Sequence, residues 1–77
     1  MRERIRSLFV EIFQCDPAEI AESSSPSTVQ GWDSFGHLAL VEALQSAFQV
    51  RFETEDISEM ESVAHIEQIL KRRGAGQ

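Results

Sequence analysis

The chain has 77 residues, 42% hydrophobic and 26% charged, which bounds it to one small domain and is too apolar for a disordered segment. Thirteen acids against seven bases give a net charge of −6, so a nucleic-acid partner held by a Lys/Arg surplus is excluded. The single cysteine, Cys15, closes no disulfide within the chain and completes no zinc set, and no apolar run nears the ~20 residues of a membrane span, so a cytoplasmic protein with no membrane contact is expected.

Residues 2–14 read as a helix. Ile5, Leu8, Phe9, Ile12 and Phe13 recur at helical spacing on one face, with Arg2, Glu3, Arg6, Ser7 and Gln14 opposite. Cys15 follows this stripe and reads as a small buried hydrophobe. Residues 15–33 read as a long loop. Asp16-Pro17 is a helix-start signal, and Ala18-Glu19-Ile20 completes one turn with Ile20 tucked inward. The run Ser23-Ser24-Ser25-Pro26-Ser27-Thr28 is rich in turn residues and offers nothing to bury. Loops of this length in so small a domain are usually functional or disordered.

Residues 34–49 read as the second helix, capped by Asp33 or Ser34. His37, Leu40, Val41, Leu44, Ala47 and Phe48 share its core face, which leaves Phe35 and Leu38 outside the core stripe, on the solvent side with Ala39, Glu42, Gln45 and Ser46. Within residues 50–61, Asp56 to Met60 read as a short helical turn with Ile57 and Met60 facing in; Val50-Arg51-Phe52 alternates but is too short for a strand. Ser62 caps a last helix over residues 63–72, with Val63, Ile66, Ile69 and Leu70 as its apolar stripe. Lys71, Arg72 and Arg73 lie at its C-terminal end, where cations suit the helix dipole. Gly74 to Gln77 read as a frayed tail, leaving residues 1–73 as the single domain.

The sum is an all-α, small antiparallel bundle of three main helices and a short further one, crossed by a long first loop. Its expected core is Phe9, Phe13, Leu40, Leu44, Phe48, Val63, Ile66 and Leu70. Ser34, His37 and Asp33 hold the residue types of a hydrolytic triad. Helical angles turn His37 toward the core, however, and no strand-to-helix elbow surrounds Ser34. His65 lies on another helix and takes no assigned role. What remains is a serine hydroxyl presented at a helix N-terminus, where partial positive charge favours an attached phosphate. The acid before it can help hold a divalent metal on a pyrophosphate donor. The alternative is that Asp33 and Ser34 are only caps.

The stretch Gly31-Trp32-Asp33-Ser34-Phe35-Gly36-His37-Leu38 resembles the phosphopantetheine attachment motif of acyl carrier proteins, Gly-x-Asp-Ser-Leu followed by an apolar helix. The likeness runs through Ala39-Leu40-Val41-Glu42-Ala43-Leu44, Phe48 and Val63, and covers residues 3–71. It implies a four-helix carrier fold without catalytic activity of its own. It implies that a phosphopantetheinyl transferase, using coenzyme A and magnesium, attaches 4'-phosphopantetheine at Ser34 with help from Asp33. The arm's thiol would hold an acyl group as a thioester. Acyl-loading and acyl-transferring or condensing enzymes would read the second helix through Phe35, Leu38, Ala39 and Glu42, with the carrier a monomer. Three positions depart from the pattern: Phe35 replaces the usual Leu, Gln30 replaces a Leu, and Ala39 stands where an acid is common. A charge-led interface is thereby weakened and an apolar one favoured. The wording is more similar to stand-alone carriers of specialised pathways, or to polyketide and peptide assembly-line carriers, than to the housekeeping fatty-acid carrier. An aminoacyl or peptidyl carrier, or an unmodified helical adaptor, is the alternative.

Overall fold

The computed structural model describes residues 1–75. Four α-helices run in chain order: α1 (Arg2–Phe13), α2 (Ser34–Phe48), α3 (Thr54–Glu59) and α4 (Val63–Arg72), with a single 3₁₀ turn at Pro17–Glu19. No strand forms among the described residues, and Val50-Arg51-Phe52 is irregular. None of these helices is long and apolar enough to cross a membrane.

The stripe on α1 packs as its spacing requires. Ile5 and Phe9 are fully buried, while Leu8, Ile12 and Phe13 are partly covered at the edge of the core. The helix stops at Gln14, whose left-handed backbone (φ 53°) returns its N–H to the Val10 carbonyl at 2.8 Å. Asp16 then caps the 3₁₀ turn, accepting the Ala18 N–H at 2.9 Å, and Ile20 is buried as expected. Cys15 is half-buried, its Sγ directed at the Phe9 carbonyl at 3.7 Å.

The serine-rich stretch departs from expectation. Ser24 and Val29 are buried. The Ser24 hydroxyl accepts the Ala21 N–H at 2.9 Å, and the chain coils on itself through Val29 N–H to the Ser25 carbonyl at 2.9 Å. More importantly, the Ser24 carbonyl accepts the Val63 N–H and the Glu22 carbonyl accepts the Ala64 N–H, both at 3.0 Å. Ser62 Oγ accepts the third N–H, from His65, at 3.2 Å. A helix N-terminus leaves four backbone donors without internal partners. Here the loop supplies acceptors for two of them and so is pinned across the start of α4. Arg2 reinforces the same corner, reaching Glu67 on α4 at 2.9 Å and Glu22 in the loop at 3.1 Å.

Leu40, Val41 and Leu44 of α2 and Val63, Ile66, Ile69 and Leu70 of α4 are buried in one cluster with Ile5 and Phe9 of α1. Each such side chain contributes roughly 1.5–3 kcal/mol through burial. Two residues expected in the core are only partly covered: Phe13 and Phe48. Both lie in the last turn of their helices, where fewer neighbours enclose them. Phe48 is capped instead by the Arg4 guanidinium, 4.4 Å from its ring centroid, which also donates to the Ala47 carbonyl. Trp32, Val29, Phe52, Met60 and Ala75 complete the core.

The last helices also differ in detail from their sequence reading. α3 begins at Thr54, two residues earlier than expected, because Glu53 and Asp56 form a reciprocal capping box. Asp56 is 1% exposed, and Arg72 and Arg73 both pair with it, Arg73 Nε at 2.8 Å. Burial works against the Asp56 charge, but the Glu53 N–H and the two guanidinium groups more than offset it and hold the carboxyl below its ordinary range. Arg72 and Arg73 therefore anchor α3 to α4, in addition to lying favourably in the helix dipole. Gly74 and Ala75, expected in a frayed tail, instead close the end of α4. Gly74 (φ 92°) donates to the Lys71 carbonyl at 3.1 Å, and Ala75, buried, donates to the Leu70 carbonyl at 2.9 Å. This is a Schellman cap, which a glycine after the last helical turn favours. Gly76 and Gln77 lie outside the described residues.

Candidate functional site

The loop delivers its last four residues across the first turn of α2. Gly31 takes φ 93°, a left-handed conformation that only glycine adopts without strain. Its carbonyl lies so close to Gly36 that a Cβ built there would sit 2.0 Å from the oxygen and 2.7 Å from Phe13 Cε1. Bare backbone at residue 36 is what lets the loop end and the helix start overlap.

Trp32 is 2% exposed and plugs the core beneath this turn. Its ring meets Phe9 edge-on, centroids 5.1 Å apart, and stacks near Phe13 at 6.3 Å. The indole Nε1–H donates to His37 Nδ1 at 2.8 Å. An indole nitrogen can only donate, so His37 Nδ1 is an acceptor and Nε2 carries the proton. Nε2 donates it to the Ile57 carbonyl in α3, at 2.9 Å. His37 lies at the rim of the core, as its helical angle implied. Both ring nitrogens are committed, so His37 is not placed as a base for Ser34.

Asp33 is the helix cap. One of its carboxylate oxygens accepts the Gly36 N–H at 3.0 Å, and its carbonyl accepts the His37 N–H at 2.7 Å. Ser34 is the first residue of α2, exposed, with the capping role already taken by its neighbour. The two candidate residues thus divide the work: Asp33 fixes the turn and the Ser34 hydroxyl is left at the surface.

Phe35 is 87% exposed and Leu38 59% exposed. Ala39 and Glu42 are exposed as well. At helical spacing these four form one stripe leading away from Ser34. Glu42 is the only Asp, Glu, Lys or Arg in α2. Beside Ser34 an open groove of about 630 Å³ runs between the loop and α3. Its walls mix hydroxyls (Ser25, Ser27, Ser58) and apolar groups (Pro26, Trp32, Ile57, Met60), with Asp33 and Glu61 as its acids.

His65, the second histidine, pairs with Ser62 Oγ at 2.8 Å and belongs to the α4 cap. No group of His, Cys, Asp and Glu among the described residues is arranged to hold a metal ion. The sequence reading missed Trp32 and the Ile57 carbonyl as partners of His37. A Trp immediately before the cap on a helix with an inward histidine was a faint signal for the first; nothing local announces the second.

A family model described as the phosphopantetheine attachment site matches residues 3–70, nearly the whole chain. The chain belongs to this family, whose members carry covalently attached 4'-phosphopantetheine.

Proposed function

We propose that Ser34 is the attachment residue, and that the chain is an acyl carrier protein of secondary-metabolite, polyketide-like biosynthesis. The observation that carries the reading is the exposed Ser34 hydroxyl at the start of α2, relieved of capping by Asp33. The residues present fit the group. The α2 N-terminus offers partial positive charge to a phosphodiester on Ser34 Oγ. Asp33 uses one carboxylate oxygen on the Gly36 N–H, leaving the second for the magnesium that accompanies coenzyme A. Once attached, the arm supplies a thiol that holds an acyl group as a thioester.

Phe35, Leu38, Ala39 and Glu42 form the proposed docking stripe for the phosphopantetheinyl transferase and for acyl-loading, transferring or condensing enzymes. An exposed apolar pair beside the attachment point suits partners with an apolar socket better than a charge-led contact. A monomer in the cytoplasm is part of the same proposal. Loading by acyl-activating against aminoacyl-activating enzymes separates an acyl from an aminoacyl carrier.

Incubation with coenzyme A, magnesium and a promiscuous transferase should add one phosphopantetheinyl group, located at Ser34 by peptide mass analysis. Ser34→Ala should accept none. No addition to the wild-type chain, or addition at another residue, rejects the proposal. An unmodified adaptor would instead keep all partner binding in Ser34→Ala.

A further inference from the structure

We infer that His37 is a positioning residue for modification at Ser34, holding the attachment turn and α3 in one register. The inference rests on the reading of Ser34 as the attachment residue. α3 has six residues, far fewer than a helix needs to persist alone in water. Side chains hold it at both ends. At its start Asp56 is gripped by Arg72 and Arg73. Near its other end, the Ile57 carbonyl is one of those a helix leaves without full internal pairing, and His37 Nε2–H supplies a donor at 2.9 Å. The same imidazole accepts from Trp32, two residues before Ser34, at 2.8 Å.

One ring therefore spans the floor of the groove, from the residue under the attachment turn to the helix on the groove's far wall. The Trp32 indole N–H has no other acceptor among the described residues, and its direction is set by this contact. Removing the imidazole leaves a buried indole N–H without an acceptor and the α3 carbonyl without its second donor. The turn and α3 then move independently of each other. A transferase must bring Ser34 Oγ into line with the phosphorus it attacks, and small misplacements of a reacting group are costly.

The test compares arm-transfer kinetics of the wild-type carrier with His37→Leu, His37→Gln and Trp32→Phe. Initial rates are read by intact mass with coenzyme A, magnesium and one promiscuous transferase. In His37→Leu, kcat should fall by about tenfold or more, with KM for coenzyme A unchanged. Glutamine carries both an acceptor and a donor, so His37→Gln should recover most of the rate. Trp32→Phe keeps a buried ring but lacks the N–H, and should lose rate while remaining folded. In the wild type the indole N–H proton should be slow to exchange, and fast in His37→Leu. A folded His37→Leu loaded at the wild-type rate overturns the inference, as does a His37→Gln no faster than His37→Leu. If His37→Leu does not fold, Trp32→Phe decides alone: the wild-type rate overturns the inference, and a slower rate in a folded chain supports it. A wild-type chain that accepts no group at Ser34 removes the parent reading and this one with it.

Discussion

Gly36→Ala separates helix propensity from the close approach described above, because the two predict opposite signs. On propensity alone, alanine inside a helix is favoured over glycine by roughly 0.8–1 kcal/mol. The new Cβ, however, would lie 2.0 Å from the Gly31 carbonyl oxygen, whereas real Cβ contacts essentially never fall below 3.0 Å. Backbone must therefore move by about an ångström, and the Phe13 ring with it. Overpacking of this kind costs about 1–3 kcal/mol. Shifting the Asp33 carboxylate off the Gly36 N–H costs about 1 kcal/mol more. The net expectation is a loss of about 2 kcal/mol. For a domain this size that lowers the thermal midpoint by roughly 8–16 °C. Circular dichroism melts of Gly36→Ala against wild type measure it. Gly74→Ala is the control: its φ is also positive, but nothing lies within 4 Å of its Cβ position. It should cost only the backbone strain, about 1–2 kcal/mol. A Gly36→Ala midpoint equal to or above wild type, or a larger loss at Gly74, refutes the reasoning.

Two further outcomes are expected. The Asp56 carboxyl is held below its ordinary range in the fold, so its contribution is full above its unfolded value of about 3.9 and is lost as pH falls through the lower folded value. Chemical denaturation from pH 7 down to pH 2 should therefore show a stability loss below about pH 4 that is shallower in Asp56→Asn. Asp56→Asn should also cost about 2 kcal/mol at pH 7, below the ~3–5 kcal/mol of a fully buried pair, because Arg72 is 53% exposed. Leu38→Asp, on a side chain 59% exposed, should change stability by no more than ~0.5 kcal/mol and yet slow acyl transfer to partner enzymes. Unfolding of that variant would show that Leu38 is a core residue instead.

The parts of this molecule written locally were legible. Helical spacing placed Ile5, Phe9, Leu40, Leu44, Ile66 and Leu70 inside and left Phe35 and Leu38 outside. Asp16, Asp33 and Ser62 are caps because their oxygens reach N–H groups two or three residues on, a distance set by the backbone itself. The serine-rich run was illegible because its role uses backbone carbonyls of Glu22 and Ser24, and a carbonyl leaves no mark on residue identity. Asp56 with Arg72 and Arg73, and His37 with Ile57, join positions 16 to 20 residues apart whose meeting depends on how α3 docks. The Schellman cap was a miss with a clear local sign, since Gly74 lies just past the C-cap residue Arg73.

The near absence of ionised groups on α2 bears on how encounters with other proteins are paced. If the Ser34-proximal stripe is where they occur, Glu42 alone offers little long-range steering. Whatever steering operates would then come from the net charge of −6 carried by the chain as a whole, and its salt dependence would report that charge and not the stripe. Charge would act on the approach, and the apolar fit at Phe35 and Leu38 on the final docking.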